Sequence, residues 1–122
     1  MRLAEFLLES SNSQLARHYT DALNSRFRPE GIPIKITTHL VDRLNDPRNQ
    51  DPIKLSEVAD FFSKLLLKKK ELLQNMEDGT SIQVMDYATD ITIPFIKSEG
   101  VLIAATIMRG EMRRGSQQLV AI

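Results

Sequence analysis

Residues 81–109, SIQVMDYATDITIPFIKSEGVLIAATIMR, decide the fold. Aliphatic and β-branched residues crowd into three runs, 81–87, 91–97 and 101–109, the composition of strands that fit a half-buried pleated surface. The separators, Ala88-Thr89-Asp90 and Ser98-Glu99-Gly100, are the right length for hairpin loops, so an antiparallel meander is expected. Pro94 falls inside the second run. It has no N–H to give to a ladder, which predicts a bulge or an unpaired side at that point.

Upstream of these strands the period changes to that of helices. Leu3, Phe6 and Leu7 are helically spaced and then meet the polar stretch Ser10-Ser11-Asn12-Ser13, which predicts a short amphipathic leader and a linker over residues 1–12. Ser13 can cap a second helix over 14–27, with Leu15, Ala16, Tyr19, Ala22 and Leu23 on its apolar side and Pro29 and Gly31 stopping it. Ile32, Ile34 and Ile36 alternate with Pro33 and Lys35 as in a short strand, and Pro33 favours an edge position.

Thr37 or Thr38 caps a brief helix through Leu44, ended by Asn45-Asp46-Pro47 because the residue before proline is pushed out of the helical region. The longest helix, 55–75, starts from Asp51-Pro52 or Ser56 and carries Leu55, Val58, Phe62, Leu65, Leu66, Leu72 and Leu73 on one wide face. Lys68-Lys69-Lys70 near its end complements the helix dipole, and Asp78-Gly79 is a turn. Residues 111–122 read as a polar, basic tail. Helices first and strands second predict one α+β domain over 13–110, with N-terminal helices packed on one face of an antiparallel three- to four-stranded sheet.

Composition narrows the function classes. A chain of 122 residues has room for a single core. Its 16 basic and 16 acidic side chains cancel, so no global field draws in nucleic acid or an anionic membrane, and any such partner must meet a local patch. Cysteine is absent, which removes disulfides, thiolate metal sites and cysteine nucleophiles. There is no apolar run of the ~20 residues a membrane span needs, no phosphate-cradling glycine loop and no metal-binding histidine helix, so neither metal nor cofactor is expected.

The residues that carry chemistry cluster in Thr38-His39-Leu40-Val41-Asp42-Arg43-Leu44-Asn45-Asp46-Pro47-Arg48. On a helix, His39 and Arg43 are four apart and share one face, while Leu40, Val41 and Leu44 turn to the core. Arg48 follows the proline break, which can swing it to the same pole. Histidine exchanges protons near neutral pH, and arginine binds phosphate bidentately and opposes charge in a phosphoryl transition state. Spacing alone is served equally by surface ion pairs, Asp42 with Arg43 or Asp46 with Arg48, and by His39 as a capping or partly buried residue.

That pattern, followed by a long helix, Asp78-Gly79 and strands ending in Ala105-Thr106-Ile107-Met108-Arg109, resembles a group of small tailed-phage proteins. The group in turn resembles the barnase, EndoU, colicin and RelE-like superfamily of metal-independent ribonucleases. The likeness covers about residues 36–110 and implies a RelE-like or EndoU-like architecture acting on RNA in the host cytoplasm. By that resemblance His39 is the general acid or base, Arg43 and Arg48 stabilise the phosphorane-like charge, and Thr106 orients the phosphate. Arg109 would be a further phosphate contact; from the residues themselves, Arg109, Arg113 and Arg114 make a modest basic strip that can follow a nucleic-acid backbone or be solvated, and Tyr19 and Tyr87 are the aromatics available to stack on a base. The only other histidine is His18, which reads as an exposed helix residue.

The leader carries a second likeness. Met1-Arg2-Leu3-Ala4-Glu5-Phe6-Leu7-Leu8-Glu9-Ser10 is similar to the capsid-targeting sequences of internal head proteins of large tailed phages. Leu7, Glu9 and Ser10 match the Leu-x-Glu pattern at which prohead proteases cut. This implies a capsid or scaffold partner and a place in the virion interior, where the same domain could equally be a non-catalytic structural protein.

Overall fold

The computed structural model describes residues 3–44, 52–109 and 118–122, with residues 3–10 described by their backbone alone. In chain order the elements are α1 (Leu3–Phe27), a 3-10 turn (Arg28–Glu30), β1 (Ile34–Ile36), α2 (Thr38–Arg43) and α3 (Leu55–Gln74), followed by β2 (Ser81–Asp86), β3 (Ile91–Ser98), β4 (Val101–Ala104), β5 (Met108–Arg109) and β6 (Gln118–Ala121). The fold is α+β.

The expected meander is present: β2 pairs antiparallel with β3, and β3 with β4. The sheet as a whole is mixed, however, in the order β1-β4-β3-β2-β6 with β5 also on β3. β1 runs parallel to β4, Ile34 opposite Leu102, and β6 runs parallel to β2, Ile82 opposite Gln118. The antiparallel sheet of three or four strands is therefore corrected at both edges. Alternation specifies that a segment is a strand and which face it buries, but not which neighbour it joins or in which direction. The expectation of a tail to the chain end is corrected too, since Val120 of β6 is buried in the core.

Pro94 sits where the ladder breaks. Phe95 faces Ala104 and Thr92 faces Met108, so two residues of β3 are opposed by three, residues 105–107. The Pro94 carbonyl accepts from the Ala105 N–H at 3.3 Å, so its proline nitrogen also faces this bulge, where no N–H is required. Glu99 and Gly100, with φ of 50° and 78°, form the tight β3–β4 turn. Both central residues at positive φ match the twist of the two strands.

Residues 10–13 do not interrupt α1, which replaces the expected leader, linker and second helix with one continuous helix. Serine and asparagine are only mildly unfavourable in a helix, and here Asn12 Nδ2 donates to Asp42 Oδ1 at 2.6 Å, tying α1 to α2. Helix α3 starts at Leu55 as expected, but Lys54 holds its N-cap position in place of the expected Asp51-Pro52 or Ser56, and the Glu57 carboxylate accepts from the Lys54 N–H at 3.1 Å, so the anion at the third helical position closes the end. Helix α3 bends at Lys69 (φ −128°, ψ 23°), and the next residue, Lys70, pairs with Glu30 at 3.3 Å.

One face of the sheet meets α3. Phe61, Phe62 and Leu65 are fully buried against Val84, Ile91, Ile93 and Phe95 in a single core. Phe62 is its hub, edge-on to Phe27 at 6.2 Å, to Phe61 at 5.7 Å and to Phe95 at 6.0 Å between ring centres, thus joining α1, α3 and β3.

As expected from Pro33, β1 is an edge strand. Its outward backbone groups are met by side chains of α1. Asn24 accepts from Ile34 N–H at 2.8 Å and donates to Ile34 C=O at 2.9 Å, and Thr20 Oγ1 accepts from Ile36 N–H at 2.9 Å. Two residues one helical turn apart thus stand in for a neighbouring strand. Asn24→Ala removes both bonds to Ile34 and should cost about 1–2 kcal/mol in urea unfolding. Sedimentation should also show more self-association than the parent, and an unchanged profile on both counts would refute this role.

Candidate functional site

The candidate residues gather at the end of the sheet where β1, β2 and β4 finish. Helix α2 begins there because Thr37 is in an extended conformation and its Oγ1 accepts from Leu40 N–H at 3.1 Å, the cap expected from sequence. The same hydroxyl donates to Ala105 C=O at 2.8 Å, and Thr37 N–H donates to Ala104 C=O at 3.4 Å. The start of α2 is therefore fastened to the bulge that contains Thr106.

Leu40, Val41 and Leu44 are buried, which leaves the opposite face of α2 outward. His39 is exposed and Arg43 half-exposed on that face, with Arg43 Nε donating to His39 Nε2 at 3.3 Å. Arginine can only donate, so His39 Nε2 is the acceptor in this contact. Asp42 bonds to Asn12 and not to Arg43 in an intrahelical ion pair. Thr106 is partly exposed in the bulge. His39 and Arg43 are thus brought together, and Thr106 lies on the segment to which their helix is fastened.

Arg109 is placed differently from a free phosphate contact. Its guanidinium grips the Glu57 carboxylate with two bonds, 2.9 and 3.2 Å, and also donates to Thr89 C=O at 2.8 Å and Pro52 C=O at 3.3 Å. It fastens β5 to the start of α3 and to the β2–β3 turn. The hydrogen bond from Arg109 holds the Glu57 carboxyl below its ordinary range, helped by the Lys54 N–H and the Arg109 charge against a smaller opposing effect of burial. Tyr87 is exposed in the same turn. Arg48 and Arg113 lie outside the described residues, as do the side chains of Leu7, Glu9 and Ser10, whose backbone belongs to α1.

Three features were missed from sequence. Lys64 Nζ contacts both oxygens of the buried Asp86 at 3.0 Å, and the Ala88 N–H donates to the same carboxylate at 3.1 Å. Burial raises the affinity of Asp86 for a proton, but these donors and the Lys64 charge outweigh it, and its pKa is lowered. An apolar cleft of about 390 Å³ lies among α1, α2 and α3, walled by Leu23, Ile36, Leu40, Val58 and Phe62, with Tyr19 at its side. Burial pushes the Tyr19 phenol up. The third is an open polar groove between α1 and β1, lined by Arg17, Arg28 and Lys35 and reaching Thr37 and Thr38. Its signal was the series Ser13, Arg17, Thr20 and Asn24, a stripe along one side of α1 that Arg28 continues in the following 3-10 turn.

Among the described residues no group of three or more histidine, aspartate or glutamate side chains stands together as a metal site, and no helix is long and apolar enough to cross a membrane. Comparisons with protein-family models, with curated proteins and with solved structures find no match to this chain.

Proposed function

We propose that the chain is a metal-independent endoribonuclease or RNA-binding protein of RelE-like or EndoU-like architecture, encoded by a tailed phage. The observation that carries this reading is the exposed His39–Arg43 pair, 3.3 Å apart, on a helix fastened to the bulge that holds Thr106. His39 Nε2 takes the proton of a ribose 2′-hydroxyl, whose oxygen attacks the adjacent phosphorus as the 5′ oxygen leaves and is protonated by water. Arg43 turns its donors from the imidazole to the phosphate, where charge develops, and Thr106 orients the non-bridging oxygens. Arg48, outside the described residues, adds its charge to the same phosphate. Tyr87 stacks on a base, and Arg113 follows the backbone.

The test is RNA incubated in chelator with the wild type, His39→Ala and Arg43→Ala. Cleavage by the wild type should fall by about 10²-fold or more in His39→Ala, the usual contribution of a general acid or base. Intact RNA in every lane, or equal cleavage by all three proteins, would defeat the reading.

A second reading is favoured by the commitment of Arg109 to Glu57 and by the place of the other histidine, His18, exposed on α1. The chain is then a non-catalytic virion internal or scaffold-associated protein, reached through the start of α1 and processed after Glu9. In either case, mass spectrometry of virions should find a mature chain that begins at Ser10. An unprocessed chain in the head would refute the processing.

A further inference from the structure

The groove between α1 and β1 differs in charge from the molecule around it. Overall the chain is neutral, with 16 cations and 16 anions, yet among the described residues the groove is lined by Arg17, Arg28 and Lys35 and by no carboxylate. All three cations are exposed, and none has an ion-pair partner among the described residues. Elsewhere Lys64 is paired with Asp86, Lys70 with Glu30 and Arg109 with Glu57, and Lys68 and Lys69, without an ion-pair partner among the described residues, stand near the end of α3 and line no such groove. Three uncompensated cations along one trough repel one another at low salt and gain most from a multivalent anion.

The shape of that anion follows from the scaffold. Arg17 lies within α1 and Arg28 opens the 3-10 turn that directly follows its last residue, eleven residues on, which at about 1.5 Å per residue sets them ~16 Å apart along the helix direction. Lys35 faces them from the strand side. An isolated phosphate cannot touch all three, whereas an extended chain of phosphates can. The polar groups between them, Thr20 and Asn24, are already bonded to β1, so the groove offers charge and little that reads a base. At its far end stand Thr37 and Thr38, the residues that lead directly into His39.

We infer that this groove binds the phosphate backbone of single-stranded RNA, without sequence preference, and leads the strand to the exposed face of α2. The inference rests on the reading of the chain as an RNA-handling protein and adds to it a binding track made of Arg17, Arg28 and Lys35. These are binding residues, and His39 is the group that meets the reacting atoms.

Binding is measured apart from cleavage by using the full chain with His39→Ala and following the fluorescence anisotropy of a short labelled oligouridine across a range of salt. For single strands each phosphate contact contributes about 0.7 to the slope of log affinity against log salt. Adding Arg17→Ala, Arg28→Ala and Lys35→Ala together should therefore reduce the slope by roughly 2. The charge-keeping set Arg17→Lys, Arg28→Lys and Lys35→Arg should retain it, which separates lost charge from lost folding. A control with Lys68→Ala, Lys69→Ala and Lys70→Ala removes the same formal charge elsewhere and should leave the slope in place. No binding by the parent, or an equal loss in the control, overturns the groove. In a parallel assay of RNA cleavage with His39 intact, binding through the groove without cleavage defeats the nuclease reading alone. Cleavage indifferent to the three groove substitutions defeats the groove alone.

Discussion

Phe62→Ala should lower the unfolding free energy by about 3–5 kcal/mol, the usual cost of emptying a buried phenylalanine site. The upper part of that range is expected because the ring is fully buried and touches three other rings contributed by α1, α3 and β3. The vacated space cannot readily be refilled: the neighbours are held by a helix end, by their own helix and by the sheet. For a domain of this size the midpoint of thermal unfolding should fall by roughly 10 °C or more. Phe62→Leu retains most of the volume and should lose much less. Equal midpoints for Ala and the wild type would show that α3 does not organise the core.

Asp86→Ala should cost about 2–3 kcal/mol at neutral pH, less than the most severe losses of a buried ion-pair partner. The asymmetry of the pair sets the figure. The Asp86 side chain is 2% exposed and that of Lys64 is 30% exposed, so the stranded ammonium can turn to water. The Ala88 N–H also loses its acceptor. The pair makes stability depend on pH in a definite direction. Because the folded pKa of Asp86 lies below its ordinary value, its contribution is complete above about pH 4, where the unfolded carboxyl ionises. It is lost as pH falls through the lower folded value. Glu57, held down by Arg109, adds in the same sense. Urea unfolding at pH 7 and pH 3 should therefore show a smaller acid loss in Asp86→Asn than in the wild type. An equal loss in both would exclude Asp86 as a source.

The sequence was most legible where local chemistry decides structure. Thr37 caps α2 as its hydroxyl allows, and Asp78-Gly79 and Glu99-Gly100 turn the chain where positive φ is needed. Pro94 marked the bulge because a missing N–H is a property of the residue itself. The separation of Leu40, Val41 and Leu44 from His39 and Arg43 followed from helical geometry and is present in the fold.

What was not legible depends on partners remote in sequence. Leu119-Val120-Ala121 is too short an alternation to announce a strand, and it becomes one only because β2 has an open side. Asn12 and its neighbouring serines read as a linker until Asp42 supplies a bond from another helix. Arg109 read as a substrate contact because nothing nearby in sequence accounts for it; its acceptors Glu57 and Pro52 stand in the first turn of α3 and just before it, more than fifty residues away. The groove cations looked ordinary one by one, since lysine and arginine on an amphipathic surface are usually solvated. Only the approach of β1 to α1 placed Lys35 opposite Arg17 and Arg28.

The mixed pairing of the sheet orders the folding reaction in time. The β2–β3–β4 meander closes through two short turns and needs little loop entropy, so it can form first. β1 must wait for β4, which is made late in the chain, and α1 in turn waits for β1, whose backbone Thr20 and Asn24 engage. A ribosome-bound chain therefore holds β1, and the α1 side chains that engage it, without the strand that β1 pairs with until β4 has emerged. Destabilising changes in α1 should then speed unfolding, whereas those in the meander should slow folding.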